Sequence, residues 1–226
     1  MHNILSIADL CRLVNHNGGA ILDQISMQEV DTFLELKESL PNTNADTNEN
    51  FQALYQQIYK LKSARMKQGV ITHYFKVLEE EKTQFSLSPR RICNEVFGSG
   101  RVLNIRQHHF NMITQMLNTI NETYPIVDQG LCQLFDFEGP TQSSLSNGER
   151  INIYVDFYSQ IRLVYKEIIE ENSLYDILKV LEIKLKSQGR KLSVIKRLDL
   201  VMRAVGALEK KGNLIAPVYK PTYSMA

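Results

Sequence analysis

Helix start and stop signals recur from one end of this sequence to the other, with almost no strand signal between them, and they confine the chain to an all-α architecture. Ser26 with Glu29 and Ser146 with Glu149 have capping-box spacing. A hydroxyl at the first position accepts from the third backbone N–H while the carboxylate reaches back to the cap's own N–H. Ser173 with Asp176 is a weaker version, and Ser88 before Pro89 places a cap ahead of a proline at the first helical position, where its missing N–H costs nothing. Gly18, Gly69, Gly98, Gly189 and Gly212 each follow a helix-period stretch and read as stops.

Apolar residues at helical spacing between these signals predict helices over residues 7–16, 27–40, 49–66, 89–97, 103–124, 151–169, 174–187 and 194–211, with 70–85 either continuing the third or forming another. Gly130 makes any helix over 127–137 marginal. Residues 41–50, PNTNADTNEN, hold no large apolar side chain and read as a linker, and 139–144 read as a second. The expected fold is an irregular all-α bundle of about seven to nine helices. Its parts are an N-terminal helical hairpin (1–40), a polar linker (41–50), the main bundle (51–212) and an extended or disordered tail (213–226). A hydrophobic fraction of 43% and a charged fraction of 23% suit such a globular body, and no apolar run approaches the roughly 18 residues of a membrane span. Residues 1–5 lack the pattern of a secretory signal, so a cytoplasmic setting is expected, with a place at the edge of a membrane-associated assembly as its extension.

Candidate chemistry is sparse. Cys11, Cys93 and Cys132 contain no C-x-x-C pair and read as buried reduced thiols. His108 and His109 flank an apolar stripe without a second ligand pair, so no metal site is expected. Gly98-Ser99-Gly100-Arg101 reads as a helix-to-helix turn, not a phosphate loop, and Glu79-Glu80-Glu81 and Glu170-Glu171 read as solvated surface. No inward carboxylate or histidine pair of the E-x-x-H kind occurs, so neither an enzyme nor a cofactor is expected.

Charge is the stronger signal. Residues 1–60 carry net −5, 61–101 net +4, 102–160 net −4 and 161–226 net +6, a pattern that favours docking of one part of the chain on another or of the whole on charged partners. From 184 to 211 nine basic residues face only Asp199 and Glu209. Lys184, Lys186, Arg190, Lys191, Lys196, Arg197 and Arg203 are therefore the candidate partner-binding residues, and acidic protein surfaces the favoured partners. The expected function is that of a non-catalytic adaptor or accessory subunit within a larger bacterial assembly, such as a secretion machine. The stretch LEKKGNLI, from Leu208 to Ile215, also resembles the end of a recognition helix entering the wing of winged-helix DNA-binding proteins. That resemblance implies nucleic-acid binding as the alternative, although 193–211 reads as one helix without the turn the motif needs and Pro217 and Pro221 fall in the wing.

Overall fold

The computed structural model describes residues 6–61, 68–98 and 100–216. Met66, Ser99, Pro217 and Pro221 lie outside them. The described residues form twelve α-helices, one 3₁₀ turn and no strand. In order these are α1 (Ile7–His16), α2 (Gly18–Gln24), α3 (Met27–Ser39), a 3₁₀ turn (Leu40–Asn42), α4 (Glu49–Tyr59), α5 (Gln68–Glu81), α6 (Pro89–Phe97), α7 (Gln107–Ile120), α8 (Gln129–Leu134), α9 (Asn147–Glu170), α10 (Tyr175–Lys184), α11 (Lys186–Lys191) and α12 (Val194–Lys210).

The class is as expected, but the helices outnumber the seven to nine foreseen. The additional ones, α2, α8 and α11, have six or seven residues, too few to show an apolar period. Of the five glycines read as stops, Gly98 caps α6 and Gly212, at φ +67°, closes α12, whereas Gly18, Gly69 and Gly189 lie inside helices. At Gly189 a Cβ would stand 2.5 Å from the carbonyl oxygen of Glu182, so the residue serves close packing rather than termination. The Ser146–Glu149 box forms in full, with Ser146 N–H donating to Glu149 Oε2 at 2.8 Å. Ser26 caps α3 by position without a side-chain bond, and Ser173 does not cap α10.

One continuous core runs from Leu10 to Leu208, so the N-terminal helices are part of the body. α12 lies at its centre and touches α2, α8, α9 and α10. Its approach to α8 depends on two facing glycines: a Cβ on Gly206 would meet the Gly130 carbonyl carbon at 2.5 Å, and one on Gly130 would meet that of Gly206 at 2.8 Å. Gly130, which reads as a weakness in α8, is the residue that lets α8 dock. On the other flank the α9 stripe is buried as its period predicts, from Tyr154 through Ile168.

Both polar linkers are fastened by charged side chains. Glu79 accepts from the Ala45 N–H at 2.8 Å, and Lys82, paired with Glu79, donates to Thr43 O at 2.7 Å, so residues 40–48 fold onto α5 with Ala45 fully buried. Glu81 is buried in a bidentate pair with Arg91. The glutamate run is thus largely structural, and only Glu80 of the three points outward, where it pairs with Lys76. In the second linker the buried Arg150 guanidinium donates to three carbonyls, Leu145 O at 3.1 Å, Pro140 O at 3.0 Å and Gln142 O. Replacing Arg150 with methionine should cost about 2 kcal/mol of local stability. Limited proteolysis should then cut within 139–148 roughly thirtyfold faster than in the wild type, because cleavage follows the population of the opened loop. Equal rates would show that Arg150 does not hold this segment.

Candidate functional site

The seven basic residues expected at a partner interface separate into two groups. Lys196 and Arg197 on α12 are turned inward, and Arg203, partly exposed at a cleft, is paired within the molecule. Lys196 is 2% exposed and Asp199 0%, so Lys196 cannot serve as an interface residue. Its ammonium donates to Asn118 Oδ1 at 2.5 Å and to Asp199 Oδ2 at 3.2 Å, and stands 4.0 Å from the centre of the Phe33 ring. Burial lowers its pKa to about 8, against the opposing pull of Asp199. Arg197 pairs with Glu182 of α10, and Arg203 Nε with Asp128 Oδ2 at 3.4 Å.

The reason for this inward turn is the segment between α7 and α8. Residues 125–127 are buried yet irregular, so their backbone groups cannot use a helical ladder and must find side chains. Asp199 accepts from Ile126 N–H at 2.8 Å and Thr114 from Val127 N–H at 3.0 Å. Asn118 donates to Tyr124 O at 2.7 Å and Tyr158 to Pro125 O at 3.1 Å. A carboxylate placed there needs a counter-charge, and Lys196, one turn earlier on the same helix, supplies it.

One of the two histidines is also structural. His109 is buried at the start of α7, where its Nδ1 accepts from Arg106 N–H at 3.0 Å in place of a carboxylate cap. Burial, with His108 and Arg106 nearby, lowers its pKa from 6.5 to about 4. The unfolded chain therefore takes up this proton first, and stability should fall as pH drops from about 6.5 towards 4. The loss attributable to His109 is about 2–3 kcal/mol by pH 4. Urea unfolding at pH 7 and pH 4 checks this against His109→Gln, which keeps an acceptor without the titration. The wild type should lose that much more than the variant, and parallel losses would remove the ring from the account. Among the described residues no group of three or more His, Cys, Asp or Glu is placed to hold a metal ion, and no helix is long and apolar enough to cross a membrane. The three cysteines are free and buried, and burial pushes Cys93 and Cys132 up to about 12.

The other four basic residues lie outside. Lys184 donates to Leu22 O beside Asp23, and Lys191 pairs with Glu38 at 3.1 Å, so the basic C-terminal block answers the acidic N-terminal one. Lys186 and Arg190 on α11 are exposed and form no ion pair among the described residues. They adjoin the outer face of α10, where Tyr175, Val180 and Ile183 are 58%, 49% and 68% exposed. These three fall within roughly 140° of one another around the helix, while Ile177, Leu178 and Leu181 fill the core from the opposite side.

Comparison of the chain with protein-family models, with curated proteins and with solved structures finds no significant match.

Two adjoining clefts lie on another part of the surface. One, of about 540 Å³, opens between α4, α7, α12 and the segment ahead of α8 and is lined by Asn111, Gln115, Asp128 and Arg203 among others. The second, of about 260 Å³, runs between α3, α4 and α12 and shares Tyr59, Lys60 and Arg203 with the first. Sequence reasoning passed over Gln115 and Asn118. The signal for both was polar residues recurring along 111, 114, 115, 118 and 119 of an otherwise apolar helix, a run too polar for a face that meets only hydrocarbon.

Proposed function

We propose that this chain is a non-catalytic adaptor or accessory subunit that binds an acidic protein partner through the outer face of α10 and the neighbouring α11. The observation that carries this reading is the outer face of α10, where Tyr175, Val180 and Ile183 stand exposed among the charged Asp176 and Lys179, followed in the chain by the exposed Lys184, Lys186, Arg190 and Lys191. Interfaces combine exposed apolar and aromatic side chains with charges that steer and select the partner. Scattered apolar residues on a surface need no explanation, but three on one short helix beside uncompensated positive charge do. The α12 basic residues take no part. Their partners are internal, so the interface is smaller than the charge count of 184–211 suggests.

The nucleic-acid alternative has less support. α12 runs unbroken from Val194 to Lys210, without the turn of a helix-turn-helix, and its Lys196, Arg197 and Arg203 are held by Asp199, Glu182 and Asp128.

Affinity purification from the native source tests the reading with two variants, Val180→Asp/Ile183→Asp and Lys186→Glu/Arg190→Glu. Each should lose at least tenfold of a stoichiometric protein partner while keeping the wild-type melting temperature, because all four side chains are exposed. A partner retained by both variants would contradict this face. Nuclease-sensitive nucleic acid, with an affinity falling steeply in salt, would replace the adaptor reading by the binder.

A further inference from the structure

A groove along α9 carries an inference separate from the docking face. It has a volume of about 570 Å³ and lies between the second half of α9, the start of α12 and the segment that follows α7. Its walls are mostly aliphatic. Leu163 and Val194 are 65% and 38% exposed, and the half-buried Ile169 and Ile195 line it with them. Ser193 N–H donates to Glu122 Oε1 at 2.9 Å and Tyr158 to Pro125 O at 3.1 Å, so residues 122–125 are tied both to α12 and to α9 and the walls stand ready before any ligand arrives. A preformed apolar concavity of this size lies in the range of small-molecule sites.

The polar groups of the lining decide the ligand class. The Ser159 hydroxyl donates to Val155 O at 2.8 Å, the Thr123 hydroxyl to Asn121 Oδ1 at 2.8 Å, and Lys166 pairs with Glu170 at 3.6 Å. The Tyr165 hydroxyl is shielded from solvent and out of a ligand's reach. Arg162 is different. It is exposed, forms no ion pair among the described residues, and holds its guanidinium 4.7 Å from the centre of the Tyr124 ring. Stacking occupies a face of the guanidinium and leaves the N–H edge free for a carboxylate. An extended peptide would bring backbone N–H and C=O groups that these walls do not answer. A hydrocarbon chain asks for no such partners, and its burial is favourable on area alone. Arg162 and Ile169 stand two turns apart on α9, roughly 10 Å along the axis, which suits a chain of medium length. We propose that this groove binds a medium-chain fatty acid, with its carboxylate on Arg162 and its tail against Leu163, Ile169, Val194 and Ile195.

Isothermal titration of the full chain with decanoate, kept below its micelle-forming concentration, tests this. Saturable binding of one decanoate per chain is expected. Octanoate, which removes two methylenes from the buried tail, should bind about tenfold more weakly. Decyltrimethylammonium, which keeps the tail and reverses the charge, should lose at least tenfold. Arg162→Gln should weaken decanoate at least tenfold, because it deletes a charge-assisted bond, and Leu163→Asp, which places a carboxylate in the apolar wall, should abolish binding. Both side chains are exposed, so both variants should keep the wild-type melting temperature. Absence of saturable binding, equal affinity for the cationic amphiphile, or unchanged affinity in either variant would overturn the proposal. Binding to phosphatidylglycerol vesicles without binding of monomeric decanoate would assign the groove to a membrane surface and overturn it as well.

Discussion

Exchanging Lys196 for methionine should lower the stability of the fold by about 3–5 kcal/mol, the cost of stranding one member of a buried ion pair. The substitution nearly conserves side-chain volume, so the loss comes from charge and hydrogen bonding rather than from a cavity. Asp199 loses its paired ammonium and keeps only the more distant charge of Arg203 while it still holds the Ile126 N–H, and Asn118 Oδ1 loses its donor. Combining the change with Asp199→Asn, which keeps an acceptor for Ile126 but removes the carboxylate charge, should cost less than the sum of the two single variants, since the residues act as one unit. Urea unfolding of the four proteins provides the measurement. A Lys196 that belonged to an exposed interface would give a change within about 0.5 kcal/mol.

The second large effect concerns the crossing of α8 and α12. Alanine at Gly206 should destabilise the protein by about 2–3 kcal/mol even though alanine is the better helix former by about 1 kcal/mol. The new methyl meets backbone atoms of Gly130 at 2.5–2.9 Å, and backbone has no alternative rotamer by which to retreat. Gly130→Ala should act in the same direction, and thermal unfolding of each variant would show it. A stabilised Gly206→Ala would mean that the helices separate without cost and that the crossing does not organise the core.

These two sites also show where the sequence was legible and where it was not. The α9 helix was readable in its capping box and its buried stripe, local properties fixed by residues within a few turns of one another, although it begins at Asn147, directly after the cap, rather than at residue 151. The same holds for the cap at Ser88 and the stop at Gly212. What local patterns do not contain is the identity of the group across a contact. Gly130 and Gly206 look like weak points in two helices until both are seen to touch. Lys196 looks like one more charge in a basic run, although it stands with Asp199 and Arg203 at spacings of three and four residues, one face of α12. The alternating charge blocks did carry the answer in coarse form, for Lys191 meets Glu38, Lys184 meets Asp23 and Arg203 meets Asp128, each joining blocks of opposite sign. Much of the positive charge that suggested an external partner is used within the molecule. The surviving candidate, the outer face of α10, was obscured because Tyr175, Val180 and Ile183 sit in a stretch whose other apolar residues form an ordinary core stripe.

The most direct test of the docking account is site-specific photo-crosslinking in the native source. A photoreactive residue is placed at Ile183 and, in a separate protein, at Phe85, which is fully exposed away from α10. One discrete adduct is expected from position 183, with a partner whose crosslinked surface is acidic, and none from position 85. Equal adducts from both positions, or a discrete adduct from position 85 alone, would contradict the assignment of α10 and α11 as the docking face.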